Sequence, residues 1–151
     1  MKRSEKALSY FNNQFNCAQS VFTSFGPELG LSEDECLRIA TAFGAGMGKQ
    51  QHVCGAVSGA LMVLGLKFGK AFNDPEQKKE ETYQKAEDFL KEFESKNGSI
   101  HCKQLLQGLN MNDEKELQKI NQLGLFQNSC ESYIKQAVEL TDLLIHQNNI
   151  K

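Results

Sequence analysis

The apolar segment that begins at Val53 and ends at Phe68 constrains the fold of this chain more than any other. It is apolar almost all round, and a helix of that kind is buried by its neighbours on every side. Two small-residue faces would let neighbouring backbones come close, and they consist of Gly55 with Gly59 and Ala56 with Ala60. The segment therefore predicts a central helix surrounded by other helices.

Composition supports the same class of fold. Leu, Glu, Lys, Gln and Ala dominate, β-branched residues are sparse, and Pro27 and Pro75 are the 2 prolines. These are helix formers that offer little material for a sheet. A chain of 151 residues fits one domain, so we predict a single all-α domain over residues 1–151, a bundle of about six to eight helices.

Periodicity and capping signals place the helices. Apolar residues from Leu8 to Phe25 predict one helix, or two successive helices broken near residues 12–16. Gly69 is expected to end the central helix, and Asn97 with Gly98 to stop a long helix that starts at Asp74 and Pro75. Further helices are predicted over residues 32–43, 99–106, 113–120 and 130–146.

Four of the five cysteines fall just inside predicted helix N-termini, where negative charge is stabilised and the reactive thiolate is favoured. These four are Cys17, Cys54, Cys102 and Cys130. None forms a CxxC pair in the sequence. If the surrounding helix starts meet at the central helix, the four thiols would converge there.

Asparagine and serine side chains supply the expected caps. Asn16 is predicted to cap the helix that begins at Cys17, Ser99 the helix containing Cys102, and Asn128 the helix holding Cys130. A loop-to-helix start is predicted at Cys54, after a glycine-rich stretch. The fifth cysteine, Cys36, follows a start capped by Ser32 and is interpreted as a small core residue.

Charge and hydropathy exclude two classes of partner. A net charge of -2, with both signs interspersed, gives no footprint for nucleic acid. No segment has the roughly 20 apolar residues that a membrane-spanning helix needs, and the N-terminus has no apolar signal core. We therefore expect a cytoplasmic protein, whose thiols are kept reduced.

Two further patterns have simpler explanations. His52 and His101 lie next to the cysteines and could act as bases or ligands, but ordinary surface histidines explain them better. The glycines at 44, 46 and 48 resemble a phosphate-binding loop, yet that loop requires a preceding strand. A flexible turn is the expectation there.

Several motifs in order along the chain resemble a known family. They are Asn16-Cys17-Ala18-Gln19, Phe43-Gly44-Ala45-Gly46-Met47, Cys54-Gly55-Ala56-Val57-Ser58-Gly59, Cys102 and Cys130. In these motifs the chain is similar to the redox-active C_GCAxxG_C_C proteins. The resemblance implies that the same four cysteines form the site, whereas Cys36 matches no family cysteine. It also implies an unidentified redox partner and a link to a transport system.

Three hypotheses follow. The first is a thiol-disulfide oxidoreductase in which Cys54 or Cys17 is the activated thiolate and a second cysteine resolves it. The second is a metal or iron-sulfur site ligated by Cys17, Cys54, Cys102 and Cys130, although such sites usually take ligands in close pairs. The third is a helical binding module with structural cysteines, and the face of Gly55 and Gly59 could serve a homodimer.

Overall fold

The computed structural model describes residues 1–147 and confirms the all-α prediction. Within these residues the secondary structure consists of eight α-helices, two 3-10 turns and one isolated β-bridge. The helices are α1 (Arg3–Asn12), α2 (Cys17–Phe25), α3 (Glu33–Ala40), α4 (Gly55–Phe68), α5 (Glu76–Asn97), α6 (Cys102–Leu105), α7 (Glu114–Gln122) and α8 (Leu125–His146). The apolar residues from Leu8 to Phe25 therefore lie on two helices, which is one of the two predicted alternatives.

Helix α4 is central, as its composition predicted. Helices α2, α5 and α8 pack around it, and its first six residues are all buried. The glycine face receives α2, because a Cβ placed on Gly55 would lie 3.0 Å from the backbone nitrogen of Ala18. The face of Gly55 and Gly59, which we considered for a homodimer, is thus occupied by α2 of the same chain.

Capping explains where several helices begin. Asn16 caps α2 in a reciprocal box with Gln19, and Ser32 caps α3 in the same way with Glu35. Each box satisfies two of the free amides at a helix start. Both caps were predicted. Gly69 and Gly98 end α4 and α5, also as predicted.

Two predicted caps are wrong. Ser99 does not cap α6: His101 holds the cap position, and the Ser99 hydroxyl accepts a hydrogen bond from the His101 amide at 3.0 Å. Asn128 lies inside α8, which begins after Gly124 in a left-handed conformation with φ of 65°. Burial of Leu125 in the core favours this earlier start, so Cys130 sits in the second turn of α8.

The glycine-rich connection between α3 and α4 is left-handed over five of its residues. Five consecutive residues have φ between 52° and 71°, and they are Ala45, Gly46, Met47, Gly48 and Lys49. Backbone hydrogen bonds close the segment, including one of 2.8 Å from the His52 amide to the Gly46 carbonyl. A 3-10 turn precedes it where a phosphate-binding loop would need a strand.

Arg3 anchors the N-terminal helix. Its guanidinium donates to the Ser24 carbonyl at 2.7 Å, pairs with Glu28 at 2.7 Å and lies over the Phe25 ring at 4.4 Å. Because these partners end α2 or follow it directly, α1 is fixed along α2. The last turn of α1 then places Phe11, like Cys17, against the cluster that contains Cys102 and Cys130.

Candidate dithiol site

A backbone pairing joins the start of α4 to the start of α6. Val53 lies opposite His101 in an antiparallel bridge. On either side, the Cys54 amide donates to the Ile100 carbonyl at 2.8 Å and the Cys102 amide donates to the His52 carbonyl at 2.7 Å. The pairing brings Cys54 and Cys102 into one region although 47 residues separate them in the sequence.

Cys17 and Cys130 form a hydrogen-bonded pair between α2 and α8. The bond raises the pKa of the Cys17 thiol, which burial raises further, and it lowers the pKa of Cys130 against the opposing effect of burial. These directions correspond to an arrangement in which the Cys17 thiol donates to the Cys130 sulfur, so that Cys130 is the more acidic of the two. The sequence predicts the activated thiolate at Cys54 or Cys17, and in the structure the pKa of Cys130 is the one lowered among the four.

The other two thiols are held protonated. Burial raises the pKa of Cys54 to about 11, although the amides of Ala56 and Val57 at the start of α4 favour its thiolate. Burial also raises the pKa of Cys102 to about 12, with a further contribution from negative charge at Cys54 and Cys130. Desolvation therefore outweighs the helix N-terminus at Cys54.

The four thiols are close enough to influence one another. Charge on Cys54, Cys102 or Cys130 raises the pKa of Cys17, and charge on Cys130 raises that of Cys54. Charge on the same three cysteines also raises the pKa of Tyr133, which lies one turn after Cys130. Its pKa is raised first by burial, and its hydroxyl donates to the Leu105 carbonyl at 2.9 Å. The structure thus brings the four predicted cysteines together.

A cleft of about 340 Å³ opens onto three of these thiols, those of Cys17, Cys102 and Cys130. Its other walls are mainly apolar and comprise Phe11, Ala45, Leu106, Met111, Leu117 and Phe126. Asn16 and Lys49 complete the lining. The volume lies in the range of small-molecule sites, which are mostly apolar with few polar groups. Cys54 lies behind the cleft, in the core around α4.

Other candidate residues take no place in the cleft lining. The side chains of His52 and His101 are exposed, as expected of ordinary surface histidines. Cys36 is fully buried, as predicted for a core residue. Sequence reasoning missed Lys49 and Tyr133: a lysine in a glycine-rich loop carries no spacing signal, whereas Tyr133 stands three residues after Cys130 and could have been found on the face of α8.

The described residues contain no preformed metal-ligand set. Within residues 1–147, no three His, Cys, Asp or Glu side chains are arranged to hold a metal ion. The arrangement is a Cys17–Cys130 pair beside two thiols whose pKa values are raised by burial.

The family model described as "Putative redox-active protein (C_GCAxxG_C_C)" matches residues 15–144. The chain belongs to this family. A relative from Archaeoglobus fulgidus, with the name "Uncharacterized protein", is 25% identical over 147 residues, which cover 93% of this chain and 91% of the relative. No solved structure matches the chain significantly. Among residues 1–147, no helix is long and apolar enough to cross a membrane.

The motif of the C_GCAxxG_C_C family has a structural explanation in this member. Cys54 occupies the cap position of α4, and Gly55 and Gly59 form the face on which α2 packs. The glycines thereby bring the first residue of α2, Cys17, to the start of α4. The spacing of the motif serves the assembly of the cysteine cluster.

Proposed function

We propose that this protein is a thiol-disulfide oxidoreductase in which Cys130 is the attacking thiolate and Cys17 the resolving thiol. The hydrogen bond between these two residues carries the proposal. It pairs a cysteine whose pKa is lowered with one whose pKa is raised, as an attacking and a resolving cysteine require, and both residues line an open cleft.

The exchange conserves atoms and electrons. The Cys130 thiolate attacks one sulfur of a substrate disulfide, the substrate S–S bond breaks, and a mixed disulfide forms. The substrate thiolate that leaves takes up the Cys17 proton. The Cys17 thiolate then attacks the Cys130 sulfur, which releases the second substrate sulfur as a thiolate that takes a proton from water, and leaves a Cys17–Cys130 disulfide. Two electrons pass from the protein to the substrate, and the reverse sequence oxidises a dithiol.

Cys54 and Cys102 have a different role in this proposal. Their raised pKa values keep them as thiols near neutral pH, where they cannot compete with Cys130 as nucleophiles. They form the buried side of the cluster. A cytoplasmic location, where a reducing pool would regenerate the dithiol, is part of the same proposal.

The experiment is a redox titration followed by disulfide mapping. The protein is equilibrated in glutathione buffers of graded potential, trapped with an alkylating agent and digested for mass spectrometry. We expect one reversible two-electron transition that ends in a Cys17–Cys130 disulfide. Cys130→Ser and Cys17→Ser should abolish it, whereas Cys36→Ala, which alters a buried cysteine outside the cluster, should retain it.

Two results would contradict the proposal. One is a disulfide that joins other cysteines while Cys17 and Cys130 remain reduced throughout the titration. The other is stoichiometric iron or zinc in protein purified without oxygen, lost together in Cys17→Ser and Cys130→Ser. The second result would favour the metal site, because removing a thiolate ligand is expected to release the metal.

A further inference from the structure

We propose that the cleft selects a small-molecule disulfide with an apolar body and a single anionic group, and that Lys49 binds this group. The inference rests on the proposed dithiol function and names its substrate class. Its basis is the distribution of charge in the lining: of the cleft residues, all within the described part of the chain, Lys49 is the one that carries a positive charge.

The ammonium group of Lys49 is available for a ligand. The ion pairs among residues 1–147 are formed by other basic residues, and none joins Lys49 to a carboxylate. Asn16, the other polar residue of the lining, is already used: its oxygen caps α2 and its amide donates to the Thr41 carbonyl at 2.9 Å. An anion entering the cleft therefore meets one unpaired cation, that of Lys49.

The backbone holds Lys49 at this place at a cost in conformational energy. Lys49 has φ of 67° and ends the run of five left-handed residues, a conformation that is unfavourable for a non-glycine residue. Its carbonyl accepts a hydrogen bond of 2.7 Å from the Asn112 side chain. Strain of this kind persists where surrounding contacts enforce it, and it concentrates at ligand sites.

The remaining walls fix the rest of the substrate. Phe11, Leu106, Met111 and Phe126 offer no hydrogen-bonding side chain, so a highly polar disulfide would lose hydration without compensation. An apolar chain beside the disulfide would instead bury its surface against these residues. The combination indicates an aliphatic or aromatic disulfide acid, with its disulfide at Cys130 and its carboxylate at Lys49.

Oxidised lipoate and lipoamide test this assignment, because they carry the same dithiolane and alkyl chain and differ in the charge of the end group. Pre-reduced protein is mixed with each, and the initial rate of dithiolane loss is measured against concentration. We expect a KM for lipoate about two- to fivefold below that for lipoamide, the range of an exposed ion pair. Lys49→Gln should remove the difference. Lys67→Gln, the same charge change at the exposed far end of α4, should preserve it.

The outcomes separate the two proposals. Hydroxyethyl disulfide, which is neutral and polar, reports exchange at Cys130 without using Lys49. If it and lipoate both fail to oxidise the protein, the dithiol function falls, and this inference with it. If hydroxyethyl disulfide reacts but lipoate and lipoamide have equal KM values, or Lys49→Gln leaves their ratio unchanged, only the substrate assignment is overturned. Calorimetric binding of lipoate to Cys130→Ser, weakened by Lys49→Gln, would support the assignment without any reaction.

Discussion

Gly59 of α4 faces the carbonyl oxygen of Ala18 in α2, and a Cβ at this glycine would lie 2.8 Å from that oxygen. The obstacle is backbone, which cannot move away as a flexible side chain can. We expect Gly59→Ala to displace α2, to lower the free energy of unfolding by about 1–3 kcal/mol and to weaken the Cys17–Cys130 contact. Chemical denaturation and the alkylation rate of Cys130 measure both effects.

Gly65 provides the control on the same helix. A Cβ there meets nothing within 4 Å, and its φ is not left-handed. Gly65→Ala should therefore stabilise the protein by up to about 1 kcal/mol, the ordinary advantage of alanine in a helix. Equal destabilisation by the two substitutions would show that close packing on α2 is not what position 59 requires.

In the proposed function, the hydrogen bond from Cys17 sets the reactivity of Cys130. Removing the donor in Cys17→Ala should raise the pKa of Cys130 and slow its alkylation by iodoacetamide at about pH 7 roughly tenfold, because a hydrogen bond to a charged group contributes about 1.5–3 kcal/mol. Cys17→Ser keeps a hydroxyl donor and should retain most of the rate. Peptide-level mass spectrometry measures each cysteine separately, and faster labelling of Cys54 than of Cys130 would contradict this assignment.

Local sequence predicted the fold well where one physical effect dominates. The all-round apolar character of α4 could be satisfied only by burial, and the boxes at Asn16 and Ser32 determine helix starts within a few residues. The predicted cap at Asn128 was wrong because the helix can start one turn earlier. Gly124 adopts the left-handed conformation there, and Leu125 gains burial. Tertiary packing, which a local capping pattern does not contain, decided between them.

The site was predicted less completely than the fold. Helix starts and the family resemblance selected the cysteines, and the structure brings them together. Their order of acidity depends on burial and on the Cys17–Cys130 contact, neither of which a helix-start argument can provide. Lys49 reaches the cleft through a run of left-handed residues, a conformation that glycine spacing alone does not specify.

Buried thiols should make the protein sensitive to alkaline pH. The pKa of Cys54 is raised from 9.0 to about 11, so the folded state holds this proton more tightly than the unfolded state. The corresponding stability is fully present below about pH 9 and is lost as pH rises through about 11. We expect the free energy of unfolding to fall by roughly 2 kcal/mol from this group over that interval.

Urea denaturation under reducing conditions, at pH steps across the interval, tests this dependence. Tyrosines and lysines titrate in the same range, so the informative quantity is the difference between wild type and Cys54→Ala. The variant should lose less stability with rising pH, whereas Cys36→Ala serves as a control for the loss of a buried thiol outside the cluster. Parallel curves for wild type and Cys54→Ala would show that the Cys54 thiol does not resist ionisation in the folded state.

Gln51 ties the left-handed segment to the wall of the cleft. Its buried side chain donates to the Leu109 carbonyl and accepts from the Met111 amide, each at 2.8 Å. Gln51→Leu keeps the volume but leaves both backbone groups without their partner, so we expect a loss of about 2–4 kcal/mol in the free energy of unfolding. Faster hydrogen exchange at the Met111 amide should accompany it.

The neighbouring Gln50 separates this effect from a general intolerance of leucine in the segment. Gln50 is exposed and its side chain contacts only the nearby Gly48 carbonyl, so Gln50→Leu should change stability by no more than about 0.5 kcal/mol. If the two substitutions have similar effects, Gln51 does not fix the loop. If only Gln51→Leu is destabilising and also raises the KM for lipoate, the same two hydrogen bonds hold both Met111 and Lys49 at the cleft, because a loosened wall and a displaced cation would weaken the same substrate.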